Sequence, residues 1–237
     1  MKKIVKKILL GLGILAFTLF AVITAIGYNM YRKALDKKPL DTAIAEIRSK
    51  TSFTEIEELP ETYLNAIIAV EDHRFYSHPG VDIIATARAA WNDLKAMSLV
   101  EGGSTITQQL AKNIYYTQEK SFIRKIAELF TAFDIERNYE KDEILELYVN
   151  DIYFGSGYYS VKEASEGYFN TQPQHMDEYQ CVMLAGIPNA PSVYSLNANP
   201  ELAQQRMEQV LKQMVKCGYI SEDKEEEEIS QPVQLKK

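Results

Sequence analysis

Ala66-Ile67-Ile68-Ala69-Val70-Glu71-Asp72-His73-Arg74-Phe75-Tyr76-Ser77-His78-Pro79-Gly80 is the stretch on which this sequence turns. An apolar helical segment, led by Pro60 and carrying Tyr63, Leu64, Ile67, Ile68 and Val70, ends abruptly in two acids. Pro60 suits the first turn of such a helix. A carboxylate at a helix C-terminus meets the negative end of the helix dipole. Apolar neighbours add desolvation. Both effects raise the pKa of Glu71 and make it a better proton acceptor. A bare surface carboxylate at a helix end is the plainer reading. The polar and aromatic residues packed into the next nine positions argue against it.

Two more segments carry chemistry. Gly102-Gly103-Ser104-Thr105-Ile106-Thr107-Gln108-Gln109-Leu110-Ala111-Lys112-Asn113 leads two glycines into a helix start, with Ser104 as the expected cap. Free backbone N–H groups there favour an anion. Ser104, Thr105, Gln108, Gln109 and Lys112 add donors. The order is not that of a Walker loop. Farther on, Arg124, Lys125 and Glu128 share one face of a helix capped by Ser121. Adjacent cations should keep Glu128 ionised, so it is expected to act by charge or hydrogen bonding. A capped amphipathic helix and a surface ion-pair trio are the plainer readings of these two segments.

Other chemistries fail. His73, His78 and His175 lack metal-ligand spacing, so no dedicated metal site is expected. No G-x-S-x-G occurs, and the Ser221–Lys224 pair stands in an acidic run without Lys-Thr-Gly. Cys181 and Cys217 read as buried free thiols, with a disulfide between them left open.

The N-terminal part is of another kind. Ile8 to Gly27 is twenty residues without a charge, about 30 Å as a helix, which matches a bilayer's hydrocarbon core. Tyr28 and Tyr31 supply an interfacial edge. A signal peptide is the main rival, but the run is longer than such apolar regions. The chain's 237 residues carry a net charge of −7. Residues 1–38 alone carry +7, leaving −14 for the remainder. That acidity argues against a nucleic-acid partner. The expected division is a cytoplasmic tail 1–7, a transmembrane helix 8–31, a polar connector 32–53, a catalytic domain 54–220 and an acidic solvated tail 221–237. Basic residues flank the span on both sides, so orientation rests on the short tail staying inside.

Within the domain, helices are expected over Ile83–Met97, from Ser104, from Ser121 (apolar face Ile126, Leu129, Phe130, Phe133, Ile135), and over Lys141–Tyr148, Glu178–Gly186 and Leu202–Lys216. Gly155-Ser156-Gly157 reads as a turn. Thr54-Glu55-Ile56 is the best strand signal. No internal repeat is found.

These segments, in order, resemble the peptidoglycan glycosyltransferases of family 51, in the monofunctional form without a transpeptidase domain. The match runs through Glu71–Gly80, Gly103–Asn113 and Arg124–Glu128. It continues through Lys141–Tyr148 with Asn150 and Tyr153-Phe154-Gly155, and Leu184–Pro188 with Ala190-Pro191-Ser192 and Tyr194. It covers about residues 54–220. Val149 and Lys120 are small departures, where leucine and often arginine are usual. The resemblance implies a mainly α, lysozyme-like fold in two lobes. The smaller lobe, about Val81 to Asn113, leans into the membrane with Ile83, Ile84, Ala87, Ala90, Trp91 and Leu94 available for lipid or core.

It also implies polymerisation of lipid II into β-1,4-linked glycan, with release of undecaprenyl pyrophosphate and inversion at the donor anomeric carbon. Glu71 would be the general base, with Glu128 the second catalytic residue. Asp72, Arg74, Phe75, Ser104, Thr105, Gln108, Gln109, Lys112, Asn113, Lys120, Arg124 and Lys125 would bind substrate. A magnesium or manganese ion could assist the diphosphate. Lipid II, the growing strand, the membrane and wall-synthesis transpeptidases are the implied partners, at a bacterial cell membrane with the catalytic domain outside. The rival readings are a lysozyme-like hydrolase or lytic transglycosylase, and a non-catalytic scaffold of the wall machinery. The cationic third segment disfavours the hydrolase, whose neutral glycan does not need it.

Overall fold

A computed structural model gives the architecture and describes residues 2–96, 103–117, 119 and 121–229. Among the described residues twelve α-helices follow one another: α1 (Lys2–Lys37), α2 (Leu40–Arg48), α3 (Glu61–Glu71), α4 (Ile83–Ala96), α5 (Ile106–Tyr115), α6 (Phe122–Asn138), α7 (Lys141–Val149), α8 (Val161–Phe169), α9 (Glu178–Gly186), α10 (Pro191–Tyr194), α11 (Pro200–Lys216) and α12 (Glu222–Ile229). The mainly α expectation holds, and among the described residues there is no strand. Thr54-Glu55-Ile56, the best strand signal, leads instead into a single 3-10 turn, Ile56–Glu58.

The body is built on α9, whose residues Tyr179, Cys181, Val182, Met183, Leu184, Ala185 and Gly186 are all buried. A helix apolar on every side can only be satisfied from every side. Helices α3 and α11 cover it, while α5 packs on α6 and α7 beside them. Tyr63, Ile67, Leu110, Ile135, Leu145, Tyr148 and Met207 fill the space between. Cys181 and Cys217 are free, and burial pushes the Cys181 thiol up to about 12. It is therefore an inert packing residue at neutral pH.

Helix α4 stands apart from this body. Ile83, Ile84, Ala87 and Trp91 are exposed, while Ala89 is buried near the returning chain at Gly103. The side chains of Ala90 and Leu94, named with them from sequence, lie outside the described residues. Exposed apolar residues on a projecting helix are the feature expected of the smaller lobe.

Helix α1 is 36 residues long and is a candidate membrane span, with a mean hydropathy of 2.5 over its apolar window and none of that window buried. At 1.5 Å per residue it reaches about 54 Å, well beyond a hydrocarbon core of about 30 Å. Its last turns lie along α6. The stretch 32–53 is accordingly not a loose connector. It finishes α1 and then forms α2, which buries Ala43, Ile44 and Ile47. The tail also departs from expectation. Residues 222–229 form α12, docked where Lys224 bridges Glu178 (2.6 Å), Glu227 (3.0 Å) and Glu228 (3.2 Å). One lysine among three acids turns an acidic run into a packed helix, with Glu228 only 3% exposed.

Candidate active site

Glu71 is the last residue of α3, where the sequence puts it. Its Oε2 accepts a 2.7 Å hydrogen bond from Gln109 Nε2 on α5, and Tyr148 OH donates to Gln109 Oε1 at 3.3 Å. Its Oε1 is buried with no hydrogen-bond partner. Burial raises the Glu71 pKa, against the Gln109 bond and the charges of Arg206 and Lys112. A carboxylate with one oxygen anchored and one free, and with raised basicity, is equipped to accept a proton.

The dense segment after Glu71 does something else. Asp72 is buried; its carboxylate accepts from the Ile106 N–H (3.1 Å) and meets His78 Nε2 (2.9 Å). Arg74 grips Asp82 with Nε at 2.9 Å and Nη2 at 2.5 Å, and Asp82 Oδ1 accepts the Ala85 N–H of α4 at 2.8 Å. Burial pulls the Asp82 carboxyl up, but the Arg74 and Ala85 bonds and the Arg74 charge outweigh it and hold it below its ordinary value. Phe75 is fully buried, under the Lys141 ammonium at 4.4 Å. Asp72 and Phe75 are thus buried, and Arg74, still partly exposed, is paired with Asp82. They form the joint that fixes the end of α3 to the starts of α4 and α5. Gly80 belongs to that joint: its φ is +84°, and a Cβ there would lie 2.9 Å from Glu136. Glycine takes this conformation without strain.

The cap of α5 is Thr105, not Ser104. Its hydroxyl accepts from Gln108 N–H (3.1 Å), and Gln108 Oε1 accepts from Thr105 N–H (3.1 Å). Thr105 Oγ1 also donates to Gly80 O at 2.6 Å. This capping box consumes Thr105 and Gln108, both buried, so they build the helix start rather than line a cleft. A T-x-x-Q pattern is present for Thr105 and absent for Ser104, a signal the sequence did contain. Asn113 likewise turns away, donating from Nδ2 to Asp151 O at 3.1 Å.

The cationic segment does converge. Glu128 is 1% exposed and pairs with Arg124 Nε (2.8 Å) and Lys125 Nζ (3.2 Å). Lys125 also donates to Ser104 Oγ at 2.6 Å, and Arg124 Nη1 to Thr117 O at 2.9 Å. Two cations on one carboxylate leave the cluster net positive. Lys112 on α5 completes it. Its pKa is lowered first by burial and then by the charges of Arg124 and Lys125, against the charges of Glu128 and Glu71. No ion pair forms on Lys112 among the described residues, so its charge is available. Glu71, Ser104, Gln109, Lys112, Arg124, Lys125 and Glu128 are therefore gathered by α3, α5 and α6. Lys120 lies outside the described residues.

Arg206 was not foreseen. Helix α11 brings its charge to bear on Glu71, with Nε donating to Gly186 O at 3.3 Å and Nη1 to Gln209 at 2.9 Å. Its signal was faint: a cation three residues after buried Ala203 and four before buried Val210, on the apolar stripe of its helix.

Asp72, His78 and Asp82 bring potential ligand atoms within 4.8 Å of one another. They do not fit a divalent ion, because Arg74, His78 and the Ile106 N–H already occupy those oxygens.

The Transglycosylase family profile matches residues 37–215. Penicillin-binding protein 1A of Aquifex aeolicus is 43% identical over 79% of this chain, which spans 26% of that relative. Penicillin-binding protein 1F of Bacillus subtilis is 46% identical over 70% of the chain and 23% of its own length. A Cupriavidus necator protein provisionally named a transglycosylase is 36% identical over 96% of both chains. The first two relatives are much longer, and the match lies in one part of each. This chain belongs to the transglycosylase family.

Proposed function

We propose that this protein is a membrane-anchored peptidoglycan glycosyltransferase that polymerises lipid II. The observation that carries the reading is Glu71: a carboxylate of raised pKa with Oε1 free, held by Gln109, beside a cluster of cations. In the reaction, the 4-hydroxyl of the acceptor's N-acetylglucosamine attacks C1 of the donor's N-acetylmuramic acid. Glu71 takes the hydroxyl proton. The C1–O bond to the diphosphate breaks, and its electron pair leaves with undecaprenyl pyrophosphate. Attack from the opposite face inverts the α-linked donor to a β-1,4 product.

The leaving group is already an anion, so no general acid is required, unlike the alkoxide leaving group of a glycoside hydrolase. Developing charge on the diphosphate needs fixed cations instead. Lys112, Arg124 and Lys125 supply them, and Glu128 holds the latter two in place. Helix α1 keeps the domain where its lipid substrate lies, with the N-terminus in the cytoplasm and the domain outside.

The test is incubation of the purified chain with labelled lipid II and, separately, with finished peptidoglycan. Growth of glycan from lipid II supports the reading. Shortened glycan with lipid II untouched would replace it with a lytic activity.

A further inference from the structure

The contact between α1 and α6 is more specific than anchoring requires. Gly27 is buried at the seam, and a Cβ placed on it would lie 2.6 Å from Ile126 Cγ2 and 3.0 Å from Ile123 O. The helices can lie this close only because position 27 has no side chain. One turn on, Tyr28 and Tyr31 hold the Phe130 ring between centroids at 5.1 and 5.7 Å. Beyond that, the Tyr31 hydroxyl donates to Asp134. The pairs Gly27–Ile126, Tyr31–Phe130 and Tyr31–Asp134 advance together, so α6 runs parallel to α1 and in fixed register with it.

That register has a consequence for height. Gly27 is the last residue of the apolar run from Ile8. Arg124 and Lys125 precede Ile126 by two residues and one, which is about 3 and 1.5 Å of helix rise. The two cations therefore stand level with the end of the apolar run, where a bilayer passes from hydrocarbon to headgroups. Phe122, two residues further toward the apolar side, is 86% exposed. A phenylalanine is left bare at a helix start without cost when that start dips into lipid.

We propose that the α1–α6 seam is a depth gauge, in which Gly27 and the Tyr31–Asp134 bond hold Arg124 and Lys125 at the headgroup plane to meet a lipid-borne diphosphate. Gly27 and Tyr31 are positioning residues: neither touches substrate. The inference rests on the lipid II reading and adds the requirement that the diphosphate be presented at membrane height.

The experiment uses the full chain reconstituted in phosphatidylethanolamine–phosphatidylglycerol vesicles. Two substrates are compared: lipid II carried in the same bilayer, and a short-chain, water-soluble lipid II analogue. Gly27→Leu is expected to raise KM about tenfold on the bilayer substrate while kcat/KM on the soluble one stays within about twofold of wild type. Tyr31→Phe removes one hydroxyl without threatening the fold and should shift KM in the same direction by a smaller factor. Gly27→Ala should show the same defect by a smaller factor, since its Cβ alone would lie 2.7 Å from Ile126 Cβ and 3.0 Å from Ile123 O. Equal losses on both substrates, or no loss on the bilayer substrate, would overturn the gauge. Wild-type protein that turns over neither substrate would overturn the polymerase reading and the gauge with it.

Discussion

Glu71 combines burial with incomplete hydrogen bonding, and both have measurable consequences. Its pKa lies above the ordinary 4.5, chiefly from burial. A base must be ionised to act, so kcat/KM should rise with pH through a midpoint above 4.5. Lys112 must be charged to act, and its pKa lies below the ordinary 10.5, chiefly from burial. The rate should therefore fall again below that value. Lys112→Arg should push the alkaline limb upward, because a guanidinium stays charged there. An acid limb at or below 4.5 would contradict the role of Glu71. Stability moves the other way. A carboxyl whose folded pKa exceeds its unfolded one contributes most at low pH, and that contribution is lost as pH rises through the folded value. Glu71→Gln should thus raise stability at pH 7.5 while removing activity. Thermal unfolding at two pH values reads this. At this scale Glu71, Lys112 and the Arg124–Lys125–Glu128 trio were legible in the sequence, because charge at a helix end or on one helix face is a local property. Asp72, Arg74 and Phe75 are engaged with protein neighbours, which the sequence did not show. The sequence marks a crowd of polar groups but not whether they face a ligand or each other.

Among the elements, α5 and α6 show why local patterns mislead. Ser104 and Thr105 are both acceptable caps, and only the reciprocal partner at Gln108 decides between them. Thr105→Ala should cost about 2 kcal/mol, since it removes a cap and a buried bond to Gly80. Ser104→Ala should cost less than about 1 kcal/mol. Urea denaturation of the two variants distinguishes them, and equal losses would return the cap to Ser104. On α6 the large apolar residues suggested one buried face. The residues buried there are Ala127, Glu128, Thr131, Ala132 and Ile135, while Phe133 is 42% exposed. Hydrophobic periodicity assumes one partner. Helix α6 has two: small residues let it close on α5, and Ile126 and Phe130 meet α1. The same blindness to partners made residues 32–53 read as a connector and 222–229 as a solvated tail. In both, the apolar or pairing side chains are too few to stand out until their neighbours are in place.

At the scale of the whole molecule, two exposed apolar features, α4 and the start of α6, belong to an acidic body with one apolar helix projecting from it. A monomeric soluble protein would bury such side chains or lack them. Trp91, the only tryptophan, is 58% exposed on α4. In vesicles its fluorescence should therefore be quenched by lipids brominated near the headgroup end of the acyl chains. Quenching only by an aqueous agent such as iodide would place α4 in water and remove the membrane role of the smaller lobe. Most of the helices were readable from spacing and caps, and the mainly α class followed from the resemblance, whereas the placement of Arg206 beside Glu71 needed α11 folded against α3. The central claim is that Glu71 is the base of a lipid II polymerase, and one measurement tests it most directly. Purified full-length protein and its Glu71→Gln variant are given labelled lipid II, and products are resolved by size. The account predicts glycan strands from the wild type and at least about a thousandfold loss in the variant, with diphosphate-lipid binding retained. A variant that polymerises at the wild-type rate would contradict it.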